Sequence, residues 1–130
     1  TIVDKGVLKP HLLGIYAAKK LGKRRAVNDR GAYIIDAGDT SHTEMIKNVD
    51  RGILLARFSG GNPANNGDFS GVAKNSYYIE NGEIKYPVSE TMVSGNIRKM
   101  FENLGEVSND RIDFGSCILP WISFNGITVS

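Results

Sequence analysis

Hydrophobic and polar positions alternate in short blocks along the chain, and the period changes from block to block. Residues 1–6 open on apolar Ile2-Val3 and predict a strand. Residues 10–21 predict a helix. Pro10 suits a first turn, Leu13, Tyr16, Ala17 and Lys20 fall on one stripe, and Gly22 stands where a cap ends it. Lys19 and Lys20 lie in the last turn, where positive charge complements the helix dipole. Residues 32–36 are short and β-prone. A second helix starts at Asp39-Thr40-Ser41, with Ser41 and Glu44 at capping-box spacing. Met45, Ile46 and Val49 give it an apolar side, and Gly52 is expected to end it. Residues 53–58, ILLARF, are a continuous apolar run that predicts a buried strand.

The segment from Arg57 to Ile97 is the most informative. Residues 59–67, SGGNPANNG, form a polar loop with no large apolar group, and residues 68–73 predict a return to strand. Asn81-Gly82 then separates two alternating runs, the strongest short-range hairpin signal. A two-residue turn there pairs Ile79 with Ile84 and Tyr77 with Tyr86 on an apolar face. Tyr78, Glu80, Glu83 and Lys85 take the wet face, and Pro87 is expected to end the pairing. Ser94 is placed to cap a helix over 95–104, where Ile97, Met100, Phe101 and Leu104 follow the helical repeat and Gly105 stops it. Residues 112–129 read as β, with Asn125-Gly126 setting Phe124 opposite Ile127 and Ile122 opposite Val129. The fold class is α+β, mainly antiparallel sheet with about three short helices.

Composition narrows the function classes. A chain of 130 residues fits a single domain, 1–130. Its net charge of +2 is too small to argue for nucleic acid by itself. Cys117 is the only cysteine, so no internal disulfide can form, and a reducing, cytoplasmic setting is expected. No apolar run approaches the roughly 20 residues that span a bilayer, and no signal peptide is expected. The chain opens at Thr1 without Met and stops at Ser130 inside an alternating stretch, and an excised domain, or the ordered remainder of a longer protein, is expected.

Few residues offer chemistry. His11, His42 and Cys117 lack helical spacing for a metal, and no HExxH is present. His42 falls in a first helical turn and is expected to be solvated. Cys117, in SCILPW, is expected to be a buried thiol acting as a small hydrophobe. No serine sits in a nucleophile elbow, and the glycines at 60–61 and 67 match no phosphate-loop spacing. Lys19, Lys20, Lys23, Arg24 and Arg25 form a basic cluster, which dipole complementation and solvation also explain, and no aromatics are interleaved with it. No catalytic, cofactor-binding or metal-binding residue is assigned in the chain. The best binding candidate is the loop and its flanks: Ser59, Gly60, Asn62, Asn65, Asn66, Gly67, Asp68, Phe69 and Ser70. Glycine lets backbone amides approach a ligand, asparagine both donates and accepts, and a neighbouring strand edge could take an extended peptide.

The run GNPANNGDFSGVAKNSYYIENGEIKYPVSETMVSGN resembles the C-terminal region of the TldD/PmbA family, once called modulators of DNA gyrase. The pieces that carry the resemblance are Gly67 to Ser70, Tyr78 to Ile84, Tyr86 to Val88 and Ser94 to Asn96, with weaker similarity elsewhere, including 52–58 and the closing SFNGITVS. The resemblance implies a cytoplasmic metallopeptidase system that degrades peptides and unfolded segments, often as a dimer of a TldD-type and a PmbA-type (TldE-type) subunit. In that system the TldD-type subunit holds zinc on an H-E-x-x-x-H helix, with a cysteine ligand near its C-terminus. This chain lacks that helix, its closing portion is PmbA-like, and Cys117 lies too close to the end for the cysteine's role to transfer. The implied role is non-catalytic: part of a subunit interface and a peptide groove, with a second copy or a TldD-like subunit as partner, peptide as ligand, and zinc only in the full system. The alternative is a nucleic-acid- or gyrase-binding module acting through Lys19 to Arg25.

Overall fold

The computed structural model describes residues 1–26 and 31–130. The fold is α+β: mostly antiparallel β-structure in four small sheets, with three short helices. Strands β1 (Val3–Asp4) and β2 (Val7–Leu8) form a minimal hairpin rather than one strand over 1–6. Lys5 and Gly6 both take positive φ, 48° and 77°, which folds the chain back between them. Helix α1 (Ile15–Leu21) starts later than the periodicity predicts. Residues 11–13 are diverted to other bonds: His11 bridges Arg25, and the Leu13 carbonyl accepts from Arg25 Nε at 2.9 Å. Gly22 does cap the helix, at φ 61°. Ala18 is its buried residue, whereas Tyr16 on the expected stripe is exposed.

Strand β3 (Tyr33–Ile34) leads to α2 (His42–Lys47), where Ser41 Oγ accepts from the Glu44 amide at 3.2 Å as its spacing predicts. Asn48, not Gly52, ends α2. The expected strand over 53–58 is two strands, β4 (Arg51–Leu54) and β5 (Arg57–Gly60), in different sheets. The break is fixed by Ser76, which is fully buried. Its hydroxyl donates to the Lys74 carbonyl at 2.8 Å and accepts from the Ala56 amide at 3.2 Å.

Strand β6 (Asp68–Lys74) is followed by the hairpin β7 (Ser76–Glu80) and β8 (Glu83–Val88) around Asn81-Gly82. Ile79 pairs with Ile84 and Glu80 with Glu83, as predicted. Beyond them a bulge at Lys85 shifts the register, so Tyr86 pairs with Tyr78 and not Tyr77, and the two rings stack at 5.1 Å. Pairing continues through Pro87 to Val88.

Strand β9 (Met92–Asn96) contains Ser94, and Asn96 is the true cap of α3 (Ile97–Glu102). The helix ends at Asn103, and Gly105 lies within β10 (Leu104–Asp113). Strand β11 (Cys117–Phe124) is central in its sheet, between β10 and parallel β3. Strand β12 (Thr128–Val129) does not fold back on β11, whose Ile122 and Phe124 pair with β10. Asn125-Gly126 instead sends the chain to the edge of β9, pairing Thr128 with Ser94 and Val129 with Val93. Phe124 and Ile122 face Leu104 and Val107.

The core is small. Ala18, Met45, Ala73, Ile79 and Val93 are its buried apolar residues among those described. The accessible surface is 9682 Å², against about 6800 Å² expected of a compact monomer of this mass. Many apolar side chains are more than half exposed, among them Val7, Leu8, Ile15, Leu21, Ile34, Phe101 and Phe114.

Candidate functional site

The four-stranded sheet, ordered β12-β9-β6-β5, positions the candidate site. Strand β5 is its edge. Pairing with β6 sets Arg57 opposite Lys74, Phe58 opposite Ala73, Ser59 opposite Val72 and Gly60 opposite Gly71. Antiparallel strands alternate between residues that exchange bonds with the partner and residues that point away. The Ala73 amide donates to the Thr91 carbonyl at 2.9 Å, on the side of β6 away from β5. Ala73 is therefore in a non-bonded pair with Phe58, and the backbone groups of Phe58 and Gly60 point outward. Among the described residues no strand lies along that outer edge.

The glycines have a local reason. A Cβ on Gly60 would stand 2.6 Å from Phe58 Cε1, and one on Gly71 would stand 2.5 Å from Phe58 Cζ. The Phe58 ring thus lies across both glycines, with the Phe69 ring edge-on at 5.9 Å. Only residues without a Cβ leave room for it there.

The polar loop is shorter than expected, 61–67, because Ser59 and Gly60 belong to β5 and Asp68 to Ser70 belong to β6. Asn62 and Asn65 are exposed on it. Its far end is tightly tied. The Ala64 amide donates to the Asp68 carbonyl and the Gly67 amide to the Ala64 carbonyl, both at 2.8 Å. Asn66 Nδ2 donates to Asp68 Oδ2 at 2.6 Å, and the Asp68 amide donates to Asn66 Oδ1 at 3.1 Å. Asn96 Nδ2 donates to the Asn66 carbonyl at 3.0 Å and to Asp68 Oδ1 at 2.8 Å. The amide donors of Asn96 and Asn66, with a smaller contribution from the Lys99 charge, hold the Asp68 carboxyl below the usual carboxylate value. Asn96, Arg57, Phe58 and Lys74 were not among the expected site residues. The signal for Asn96 was available: an asparagine just before an apolar helical repeat is a strong capping residue.

The remaining candidates do not converge on this site. His42 is half-buried rather than solvated, its ring stacked on Trp121 at 4.1 Å and 16°, with Nε2 enclosed and without a partner. Cys117 is half-buried and free, paired in register with Tyr33 on the sheet interior, so it is less buried than its apolar surroundings predict. Among the described residues no group of three His, Cys, Asp or Glu side chains gathers as a metal site, so the donors present do not fit zinc. In the basic cluster, Lys20 Nζ sits 5.8 Å from the Tyr16 ring centroid and Arg25 is tied to the Leu13 carbonyl. No helix among the described residues is long and apolar enough to cross a membrane.

Comparison with known proteins bears on this arrangement. The model of the PmbA/TldA metallopeptidase C-terminal domain matches residues 1–130. The Escherichia coli O157:H7 protein named metalloprotease PmbA is 35% identical over 96% of this chain and 29% of its own length. A Saccharolobus solfataricus protein named as a zinc metalloprotease TldD homolog is 28% identical over 84% of this chain and 27% of its own. A crystal structure from Bacteroides thetaiotaomicron, described as a modulator of DNA gyrase, superposes with a TM-score of 0.88 at 34% identity, over 99% of this chain and 30% of that one. The chain thus spans under a third of the length of each of these relatives.

Proposed function

This chain belongs to the PmbA/TldA metallopeptidase C-terminal domain family, and from that premise we propose that it is the non-catalytic C-terminal domain of a PmbA-like subunit in a cytoplasmic metallopeptidase system. In this reading it holds an extended peptide or unfolded segment along β5 and the 61–67 loop, and it gives apolar surface to an interface with a TldD-like subunit or a second copy. The observation that carries the reading is the outer edge of β5. Phe58 and Gly60 turn their backbone donors and acceptors outward, and an added strand satisfies such groups. The loop that follows β5 is tied at its far end by Asn96, which supports a fixed shape for it. The exposed apolar residues Val7, Leu8, Ile15, Leu21 and Ile34 offer surface to such an interface or to the rest of a longer chain.

A relative is named a zinc metalloprotease, and in this reading any zinc of the full system would be held by other residues, since among the described residues no group of donors gathers. In this reading bond cleavage belongs to groups elsewhere in the full system, and this domain's part is to bind and orient.

Amide hydrogen exchange on the full chain tests the groove. An unstructured peptide is expected to slow exchange at Phe58 and Gly60, and the same peptide N-methylated at alternate residues is expected to have no effect, because it cannot complete the ladder. Unchanged exchange along 57–60 at saturating peptide would remove the groove from this reading.

A further inference from the structure

Arg57 and Lys74 stand directly opposite each other at the start of the edge strand, both exposed. Like charges in a cross-strand pair are unfavourable, and neither has an acidic partner among the described residues. Glu90 lines the same open cleft of about 470 Å³ as Lys74 but makes no ion pair with it. Side chains on a strand alternate between faces. Arg57, Ser59, Val72 and Lys74 therefore share one face of the β5–β6 pair, and Phe58, Gly60, Gly71 and Ala73 share the other. The two faces offer a visitor different chemistry: unpaired positive charge on one, and an aromatic ring that is 38% exposed on the other.

We propose that the partner of β5 is an extended acidic peptide, with a carboxylate side chain beside Arg57 and Lys74 and apolar side chains on alternate residues against the Phe58 ring. This inference rests on the reading that β5 accepts an added strand, and it names the class of segment accepted. Charge complementarity selects the occupant. A second copy of β5 would bring two more cations to the same place and is disfavoured, which is also how edge strands resist pairing with themselves. An acidic strand meets attraction at the same position. The attraction is between exposed groups and weakens as salt rises.

Three short extended peptides test it, alternating Val-Glu, Val-Gln and Val-Lys, each titrated against the full chain with amide exchange at Phe58 and Gly60 as the readout. The Val-Glu peptide is expected to protect these amides at about fivefold lower concentration than Val-Gln, with Val-Lys weakest, since opposite-charge cross-strand pairs each contribute up to about that factor. Arg57→Glu with Lys74→Glu is expected to reverse the order, and Arg57→Gln with Lys74→Gln to level it. Both positions are exposed and have no ion-pair partner, so the fold does not depend on them. Equal protection by Val-Glu and Val-Gln overturns the acidic preference while leaving strand addition intact. Charge-ranked binding without protection of β5 moves the acidic site elsewhere and overturns the inference. No protection by any peptide defeats the proposed groove itself, and this inference with it.

Discussion

Asn96 and Asp68 are register partners across the β6–β9 ladder, and their side chains meet at 2.8 Å. Asn96 does two jobs at once. Its Nδ2 ties the end of the polar loop to β9, and its Oδ1 accepts the Arg98 and Lys99 amides at 3.0 and 3.3 Å to cap α3. The two jobs can be separated. Asn96→Asp keeps an acceptor for the helix but loses the donor and faces a second carboxylate. Amide exchange is expected to quicken at Ala64 and Gly67 while α3 stays protected. Adding Asp68→Asn returns a donor to the pair and is expected to restore the loop. Asn96→Ala loosens both elements and costs about 1 kcal/mol for the lost cap. Equal loosening of loop and helix in Asn96→Asp would show that the tie has no separate role.

The same pair sets a pH dependence. Hydrogen bonds from Asn96 and then Asn66, with the Lys99 charge, lower the Asp68 carboxyl from its ordinary value. A carboxyl lowered by folding contributes fully above its unfolded value and loses that contribution as pH falls through the folded one. Protection of Ala64 and Gly67 is therefore expected to persist down through the normal carboxylate range and to fade only below it. Asp68→Asn is expected to remove the dependence. A loop that opens at the ordinary carboxylate value would contradict the tie.

Gly71 is predicted to be intolerant of any side chain. A Cβ there would lie 2.5 Å from Phe58 Cζ and 2.7 Å from the Ser59 carbonyl oxygen. The ring can swing away, but the backbone oxygen cannot without opening the β5–β6 ladder. Gly71→Ala is expected to destabilise by about 1–3 kcal/mol, the range for overpacking, as measured by denaturant unfolding. Gly61→Ala, where nothing lies within 4 Å, serves as the control and is expected to be near neutral.

Local chemistry was legible in the sequence and long-range pairing was not. Ser41, Gly22 and the Asn81-Gly82 turn act through atoms a few residues away, and each does what its spacing predicts. The second Asn-Gly turn exists, but its outcome is a long-range pairing: the chain leaves β11, and Thr128 and Val129 pair with Ser94 and Val93 of β9. The apolar run over 53–58 gives no sign of the break at Leu55-Ala56, because the residue that fixes it, Ser76, lies 20 positions away. At the site, the loop was visible from its composition. Its edge strand was placed only in part, because the outward turn of Phe58 and Gly60 follows from a bond between Ala73 and Thr91. Arg57 and Lys74 became a pair only once the register was known.

The His42–Trp121 stack yields the last prediction. The rings are 4.1 Å apart and near parallel, so they share apolar contact that holds α2 against β11. Yet Nε2 of His42 is enclosed without a hydrogen-bond partner, and an unsatisfied enclosed polar atom costs about 1–3 kcal/mol. His42→Phe keeps an aromatic ring on Trp121 and removes the stranded nitrogen, so it is expected to match or exceed the native stability, by up to about 1 kcal/mol. His42→Ala loses the stack and is expected to destabilise by at least the 0.5–1.5 kcal/mol, roughly, of an aromatic pair. The backbone bond from the His42 amide to Asp110 Oδ1, at 3.1 Å, survives in both variants and does not confuse the comparison. Trp121 is the only tryptophan in the chain, so its fluorescence follows this contact directly during urea unfolding. A His42→Phe midpoint as low as that of His42→Ala would mean that Nε2 makes a bond on which the native stability depends.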